Sequence, residues 1–261
     1  NWEKFGQNSA ILPAETAGCF VGRVWIPGEN GGPTPVLIQN DDILDLSNIC
    51  PTTSELLNLE RPVATLRSKV SCRLGSLSEI IMNSFASVRN PDLPYLLSPC
   101  DLQSLKACGV TFVKSMVERL IEEQAGGNPE IAERIRKDID SAIGSSISNI
   151  VPGSREAEQV KEILMAQGLW SQYLEVGIGP DAEIFSKSQP LSAVGTGDEI
   201  GIHPRSTWNN PEPEVVLAIS SKGNIVGASL GNDVNLRDVE GRSALLLCRA
   251  KDNRGSCSIG P

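Results

Sequence analysis

Residues 211–233 read "PEPEVVLAISSKGNIVGASLGND", two apolar stretches around a Ser-Lys-Gly-Asn break, with two glutamates at one end and an aspartate at the other. Glu212 and Glu214 are two apart, so in an extended chain both side chains project to one side of it. Pro211 and Pro213 favour extension of their neighbours and donate no ladder hydrogen bond, which places them at a strand start or an edge. "VVLAIS" then reads as a buried strand, "SKGN" as a turn and "IVGASLGND" as the returning strand. A hairpin centred between Lys222 and Gly223 sets Asp233 opposite position 212. Three carboxylates then converge within roughly 5–8 Å by cross-strand spacing, an arrangement that a cation resolves. With oxygen ligands and no neighbouring His or Cys, the hard ions Mg²⁺, Mn²⁺ or Ca²⁺ suit the set better than zinc. The same residues also read as a solvated loop with Asp233 as a turn former.

The rest of the composition narrows the function classes. The chain has 261 residues, 40% of them hydrophobic and 21% charged, which is ordinary for a globular protein with a substantial core. A formal charge of -9 with no basic cluster argues against nucleic acid as a partner. No apolar run reaches membrane-spanning length, so no membrane is expected as a partner either. "NWEKFGQNSA" lacks a signal-peptide pattern and looks trimmed rather than targeted, so a cytoplasmic location is expected. The seven cysteines are scattered without a CxxC pair, which suggests reduced, buried thiols. One histidine, His203, excludes a mechanism that needs two.

Working outward from the hairpin, "CFVGRVWIPG" (19–28) and "PVLIQNDDILDL" (35–46) suggest a small β-rich domain over 1–100. From residue 101 the pattern turns helical. "DLQSLKACGVTFVKSMVERLIEEQ" opens on Asp101 as a possible cap, "NPEIAERIRKDIDSAI" on Asn128 with Pro129 in the first turn, and a third helix is expected from Ser154 to Gly168. "GSSISNIVPGS" between them reads as a loop or lid. "DAEIFSKS" (181–188) alternates, which puts Glu183, Phe185 and Lys187 on one face of a strand.

The string "PEPEVVLAISSKGNIVGASLGNDVNLRD", followed by "KDNRGSCSIGP", resembles the fumarylacetoacetate hydrolase family, whose catalytic domain carries a Glu-x-Glu pair, an Asn-Asp-Val-x-x-Arg-Asp segment, a Lys-x-x-Asp and a Gly-Pro in that order. The resemblance covers 101–261. It implies an α+β, mainly β fold: a mixed β-roll with a small N-terminal β domain and a helical segment between. It also implies metal ligation by Glu212, Glu214 and Asp233, with the family lysine at Lys251 and its arginine at Arg237. Glu183 and Lys187 become candidates to face the substrate, and a homodimer or homotetramer is expected. The family continues well past the Gly-Pro, so the catalytic domain here looks truncated.

One departure carries information. Hydrolases of the family have upstream a His and a Glu that activate water on a lid. Here "GVTFVKSMVE" (109–118) puts Ser115 in the histidine's place and keeps Glu118. A branch without that histidine dehydrates 2-keto-3-deoxy sugar acids, and "WNNPEPEVVL" with "GNDVNLRDVEGRSALLL" looks most like that branch. The expected activity is therefore a metal-dependent dehydration of a 2-keto-3-deoxy pentonate to a 2-oxo acid semialdehyde. The metal would chelate the 2-keto acid and stabilise an enolate, with Glu183 and Lys251 as an acid and base in unassigned order. Lys187 is a further catalytic candidate, and Arg237, Ser115 and Glu118 are candidates for substrate binding. A β-diketone (acylpyruvate-type) hydrolase, an oxaloacetate decarboxylase and a catalytically idle scaffold are the alternatives.

Overall fold

The computed structural model describes residues 12, 18–68, 72–109, 117, 118, 120, 121, 124–143 and 150–261. The chain divides into two compact units: the first comprises the chain up to Leu105, Ser186–Glu240 and Leu246–Pro261, and the second Lys106–Phe185 and Gly241–Leu245.

The first unit opens with the expected strands, β1 (Phe20–Ile26), β2 (Gly32–Gln39) and β3 (Asp42–Asp45). With β4 (Cys72–Ser76) and β5 (Tyr95–Leu97) they form an antiparallel sheet in the order β4-β3-β2-β1-β5. Asn40, at φ 56°, carries the tight β2–β3 turn, a conformation that Asn tolerates better than most residues. One face of the sheet presents Val24, Val36, Ile38, Ile43 and Leu96 to helix α3 (Leu77–Ser84), which returns Leu77, Ile80 and Ile81 to the same core. A reciprocal cap starts α3: the Ser76 hydroxyl accepts from Glu79 N, and the Glu79 carboxylate accepts from Ser76 N.

Between the strands lie two short helices that alternation does not reveal, α1 (Thr53–Leu57) and α2 (Pro62–Ser68). Asp101 was expected to cap a helix beginning there. Instead its carboxylate accepts from the backbone N–H groups of Thr53 and Ser54 at 2.7 and 3.1 Å, and so caps α1 from a distance in sequence. The chain after it forms β6 (Leu105–Cys108), paired with β7 (Ile184–Ser188).

The second unit is helical. Helix α4 (Pro129–Ile143) takes Asn128 as its cap, with the Asn128 side chain accepting from Glu130 N at 2.9 Å. Helix α5 (Arg155–Ala166) is capped by Ser154 and ends near Gly168, as read from the sequence, and α6 (Gln172–Ile178) follows. Leu120, Ile121, Ile135, Ile139, Leu164 and Leu174 belong to its core.

The hairpin that decides the fold lies in the first unit. Strand β9 (Pro213–Ile219) pairs antiparallel with β10 (Ile225–Asp233), and β10 pairs on its other side with β12 (Cys257–Ile259). The turn is not centred quite as expected. Ser220 N donates to Asn224 O and Gly223 N to Ser220 O, which centres the turn on Lys222, with Gly223 at φ 79°. Register then shifts between Ile225 and Gly227, so a bulge at Val226 absorbs the difference. Gly231 consequently faces Glu214, and Asp233 N donates to Glu212 O at 2.9 Å, the register the sequence predicts at the carboxylate end. A short ladder of β8 (Asn209–Asn210) with β11 (Asn235–Leu236) and the turns α7 (Arg237–Glu240) and α8 (Leu247–Lys251) close this region.

All seven cysteines are free thiols. Cys50 and Cys257 are buried, but Cys72, Cys108 and Cys248 are exposed, against the expectation of burial. Among the described residues no helix is long and apolar enough to cross a membrane.

Candidate active site

The β9–β10 pairing brings the carboxylates of Glu212 and Asp233 onto one ammonium. Lys251 Nζ lies 2.5 Å from Glu212 Oε2 and 3.0 Å from Asp233 Oδ2, at the end of the short helix α8, whose Lys251 side chain is buried with it. Burial alone would lower the Lys251 pKa, but Asp233 and Glu212 outweigh it and hold the ammonium above the ordinary lysine range. The other oxygen of Asp233, Oδ1, is 3.1 Å from Lys187 Nζ. That contact is a buried ion pair. Asp233 thus sits between two lysines, one on each oxygen.

Lys187 was expected to face the substrate with Glu183. In the structure its side chain is 2% exposed. Its ammonium donates to Val234 O at 2.9 Å, to Ser256 Oγ at 3.1 Å and to the carbonyl of Lys251. Burial lowers its pKa against the pull of Asp233. Lys187 therefore ties together the corner after β10, the end of α8 and the turn at Ser256.

Glu214 differs from both partners. It shares a half-buried sheet face with Glu212, and its pKa is raised by burial first and then by Asp233 and Glu212, with Lys251 opposing. The upward shift comes first from burial, and the like-charge cost that the sequence spacing implies adds to it. Among the described residues no three His, Cys, Asp or Glu side chains form a ready-made metal shell. Glu212 and Asp233 are closed on Lys251 instead. The donor set nevertheless fits a hard cation: three carboxylates at the paired ends of β9 and β10, with Glu214 raised by burial and by the other two, and an Asp233 oxygen that is buried and held only by an ion-pair contact.

Arg237, expected either to hold a substrate carboxylate or to brace the metal loop, donates from Nη1 to Glu240 Oε2 at 2.7 Å. Glu240 is buried. Burial pushes its carboxyl up, and hydrogen bonds from Asn235 and Arg237 pull it below the usual range. Asn235 in turn bridges Glu240 and Glu212, its Nδ2 2.7 and 3.1 Å from their oxygens. Sequence reading missed both residues. The available signal was an Asn two residues beyond Asp233 on a chain too short to alternate, and a Glu three residues after Arg237.

Of the remaining residues, Glu118 and Glu183 lie in the second unit, His203 in the first, and Ser115 outside the described residues. Glu118 pairs with Arg136 at 2.8 Å. Glu183 accepts through its backbone carbonyl from Gly109 N at 2.9 Å, and its side chain fills the space a Cβ at position 109 would need. Ser115, with most of the proposed lid 109–118, lies outside the described residues. His203 accepts from Arg205 N at 3.2 Å in its own loop.

No family model matches the chain. It is 33% identical over 130 residues to the 2-dehydro-3-deoxy-D-arabinonate dehydratase of Saccharolobus solfataricus, a match covering 49% of this chain and 43% of that protein. It is 42% identical over 89 residues to a probable 2-keto-3-deoxyxylonate dehydratase of Haloferax volcanii, covering 34% of this chain and 30% of the relative. The chain is similar to two sugar-acid dehydratases over part of its length. The resemblance to the sugar-acid branch is thereby borne out, over less than half the length of each of these curated relatives. Two solved structures share the fold: 2-keto-3-deoxy-D-arabinonate dehydratase complexed with magnesium and 2,5-dioxopentanoate, at a TM-score of 0.57 and 18% identity, and its apo form, at 0.58 and 19%. Each match covers 92% of this chain and 64% of the other. The fold is α+β, as expected. Among the described residues the strands around the site form an open three-stranded sheet and a two-stranded ladder, not a closed roll.

Proposed function

We propose that this chain carries the carboxylate site of a metal-dependent dehydratase that converts a 2-keto-3-deoxy pentonate to a 2-oxo acid semialdehyde. The observation that carries the reading is the convergence of Glu212 and Asp233 on Lys251, with Glu214 on the same sheet face, its carboxyl raised by burial and then by both. Its sugar-acid relatives supply the substrate class.

Bound by Glu212, Glu214 and Asp233, a divalent cation, Mg²⁺ in the first place and Mn²⁺ or Ca²⁺ as substitutes, supplies Lewis acidity to a 2-keto carboxylate. Lys251 is the proton-transfer group carried by this site. Its ammonium is held on two carboxylates and is proposed to act as acid or base in the proton transfers at C3 and the departing hydroxyl. Glu183 is proposed as the second proton-transfer group on the sequence resemblance alone. Lys187, enclosed and engaged by two carbonyls and the Ser256 hydroxyl, is proposed to hold the backbone of Lys251 and the carboxylate of Asp233 in place. In the reaction a C3 proton leaves, the C4–O bond breaks, the hydroxyl departs as water, and the unsaturated alcohol tautomerises to the C5 aldehyde. Atoms and electrons balance without an oxidant or reductant.

Incubation of the protein with Mg²⁺ and a 2-keto-3-deoxypentonate tests the reading. The expected product is the semialdehyde, lost in EDTA. Pyruvate and a two-carbon aldehyde would replace the dehydratase by an aldolase. Glu214→Ala is expected to abolish Mg²⁺ binding in calorimetry while leaving the secondary structure intact, and equal affinity in variant and parent would remove the metal site.

A further inference from the structure

Asn235 has no exposed surface, yet it lies among charges rather than in the apolar core. An amide carries two protons, and here each goes to a different carboxylate: Nδ2 donates to Glu212 Oε1 at 3.1 Å and to Glu240 Oε2 at 2.7 Å. Those two acceptors fix which end of the amide is nitrogen, because the oxygen end would repel both. Two carboxylates against one neutral group are stable only if the second is compensated, and Arg237 Nη1 provides that charge at 2.7 Å. An ordered series results: Arg237 to Glu240, Glu240 to Asn235, Asn235 to Glu212.

The two oxygens of Glu212 are therefore held from different directions. Oε2 faces the Lys251 ammonium and Oε1 faces the Asn235 amide. Across the β8–β11 ladder, where Asn210 pairs with Asn235, a second amide reaches Glu212 Oε1 at the longer distance of 3.4 Å. An apolar residue of similar volume at 235 would suit a buried position better than a bridge between two anions. The bridge makes sense as a device that fixes the direction of the Glu212 carboxylate.

We propose that Asn235 is a positioning residue: seated on the Glu240–Arg237 pair, its amide holds Glu212 Oε1 and so sets the direction in which that carboxylate presents itself to a divalent cation. The inference rests on the metal-site reading above and extends it outward, assigning Glu240 and Arg237 to the support of a ligand rather than to substrate. Groups that orient a metal ligand typically alter affinity 10- to 100-fold, at roughly that scale per residue removed.

Calorimetric Mg²⁺ titration of four proteins tests it: the parent, N235A, R237M/E240L, which removes the anchor without changing net charge, and the combination of all three substitutions. Metal-free thermal unfolding is recorded for each. N235A is expected to weaken Mg²⁺ binding about 10- to 100-fold, and R237M/E240L to weaken it by a smaller factor. The combined protein is expected to match N235A within about twofold, because the pair acts through Asn235. A purely structural role would lower unfolding temperatures and leave the affinities unchanged. If N235A fails to fold, N235S replaces it: its hydroxyl donates one proton, so an intermediate loss of affinity supports the inference. Parent-like affinity in N235A or N235S, or losses that multiply in the combined protein, would overturn it. A parent that binds no Mg²⁺ overturns the metal reading and this inference with it, whereas a binding parent beside an unaffected N235A overturns this inference alone.

Discussion

The sheet at the start of the chain and the sheet that carries the carboxylates are built from strands of similar alternation, and they end in opposite conditions. In the first, Val24, Val36 and Ile43 have no exposed surface, because α3 lies across them. In the second, Val215 is 70% exposed and Leu230, its registered partner across the hairpin, 72%. Leu217, Ile219 and Ile225 share that open face. The opposite face holds Glu212 and Glu214. Alternation therefore says which residues share a face, and a neighbouring element decides which face is covered. In the first sheet burial is mainly apolar, with Arg23 and Thr34 the buried polar side chains on its strands. In the second, Cys257 and Ile259 of β12 are buried apolar positions, and beside the sheet Lys187, Asp233, Asn235, Glu240 and Lys251 form a buried polar group joined by ion pairs and hydrogen bonds.

Substitutions can break or sharpen that contrast. Lys187→Met would have the largest effect, removing one partner of a buried pair and the donor to two carbonyls. A loss of about 3–5 kcal/mol is expected in denaturant unfolding, and a loss below 1 kcal/mol would mean that the polar network contributes little to holding the second sheet. Ile81→Ala, in the apolar core under the first sheet, is expected to cost about 2–5 kcal/mol by the same measurement.

Glu214→Gln should move stability the other way. The folded state raises the Glu214 pKa, so it binds that proton more tightly than the unfolded chain does, and ionisation costs stability as pH rises through the folded value. Gln removes the cost. The metal-free variant should melt about 1–2 °C above the parent at pH 7, allowing for solvent screening, with the difference vanishing below the ordinary carboxylate range. Thermal scans across pH 4–8 check the sign. Leu217→Thr, on the open face, should shift stability by less than about 0.5 kcal/mol. A loss above 2 kcal/mol would show that this face is covered after all.

The legible part of the site was the part set by strand period. Glu212, Glu214 and Asp233 follow from a two-residue repeat and a turn, and even a misplaced turn centre was harmless because the Val226 bulge restored the pairing. The α4 and α5 caps were legible for a similar reason, since Asn128 and Ser154 act within three residues of themselves. Long-range partners were not. Asp101 looks like a local cap and serves a helix almost fifty residues earlier. Lys187 looks like a substrate-facing lysine because alternation puts it with Glu183, and its acceptors come from 234, 251 and 256. Nothing local in a sequence reports a partner supplied by tertiary packing.

Strand order in the second sheet, β12-β10-β9, leaves β9 as its margin among the described residues. Pro211 and Pro213 remove two donors from that margin at the carboxylate end, but residues 214–220 run on without proline, and three of their side chains are exposed aliphatics. Such a segment is a template for strand addition from other molecules. Concentrated preparations of this polypeptide are accordingly expected to self-associate through β9 into thioflavin-positive fibrils, and a lysine at Leu217 would act as a gatekeeper against them.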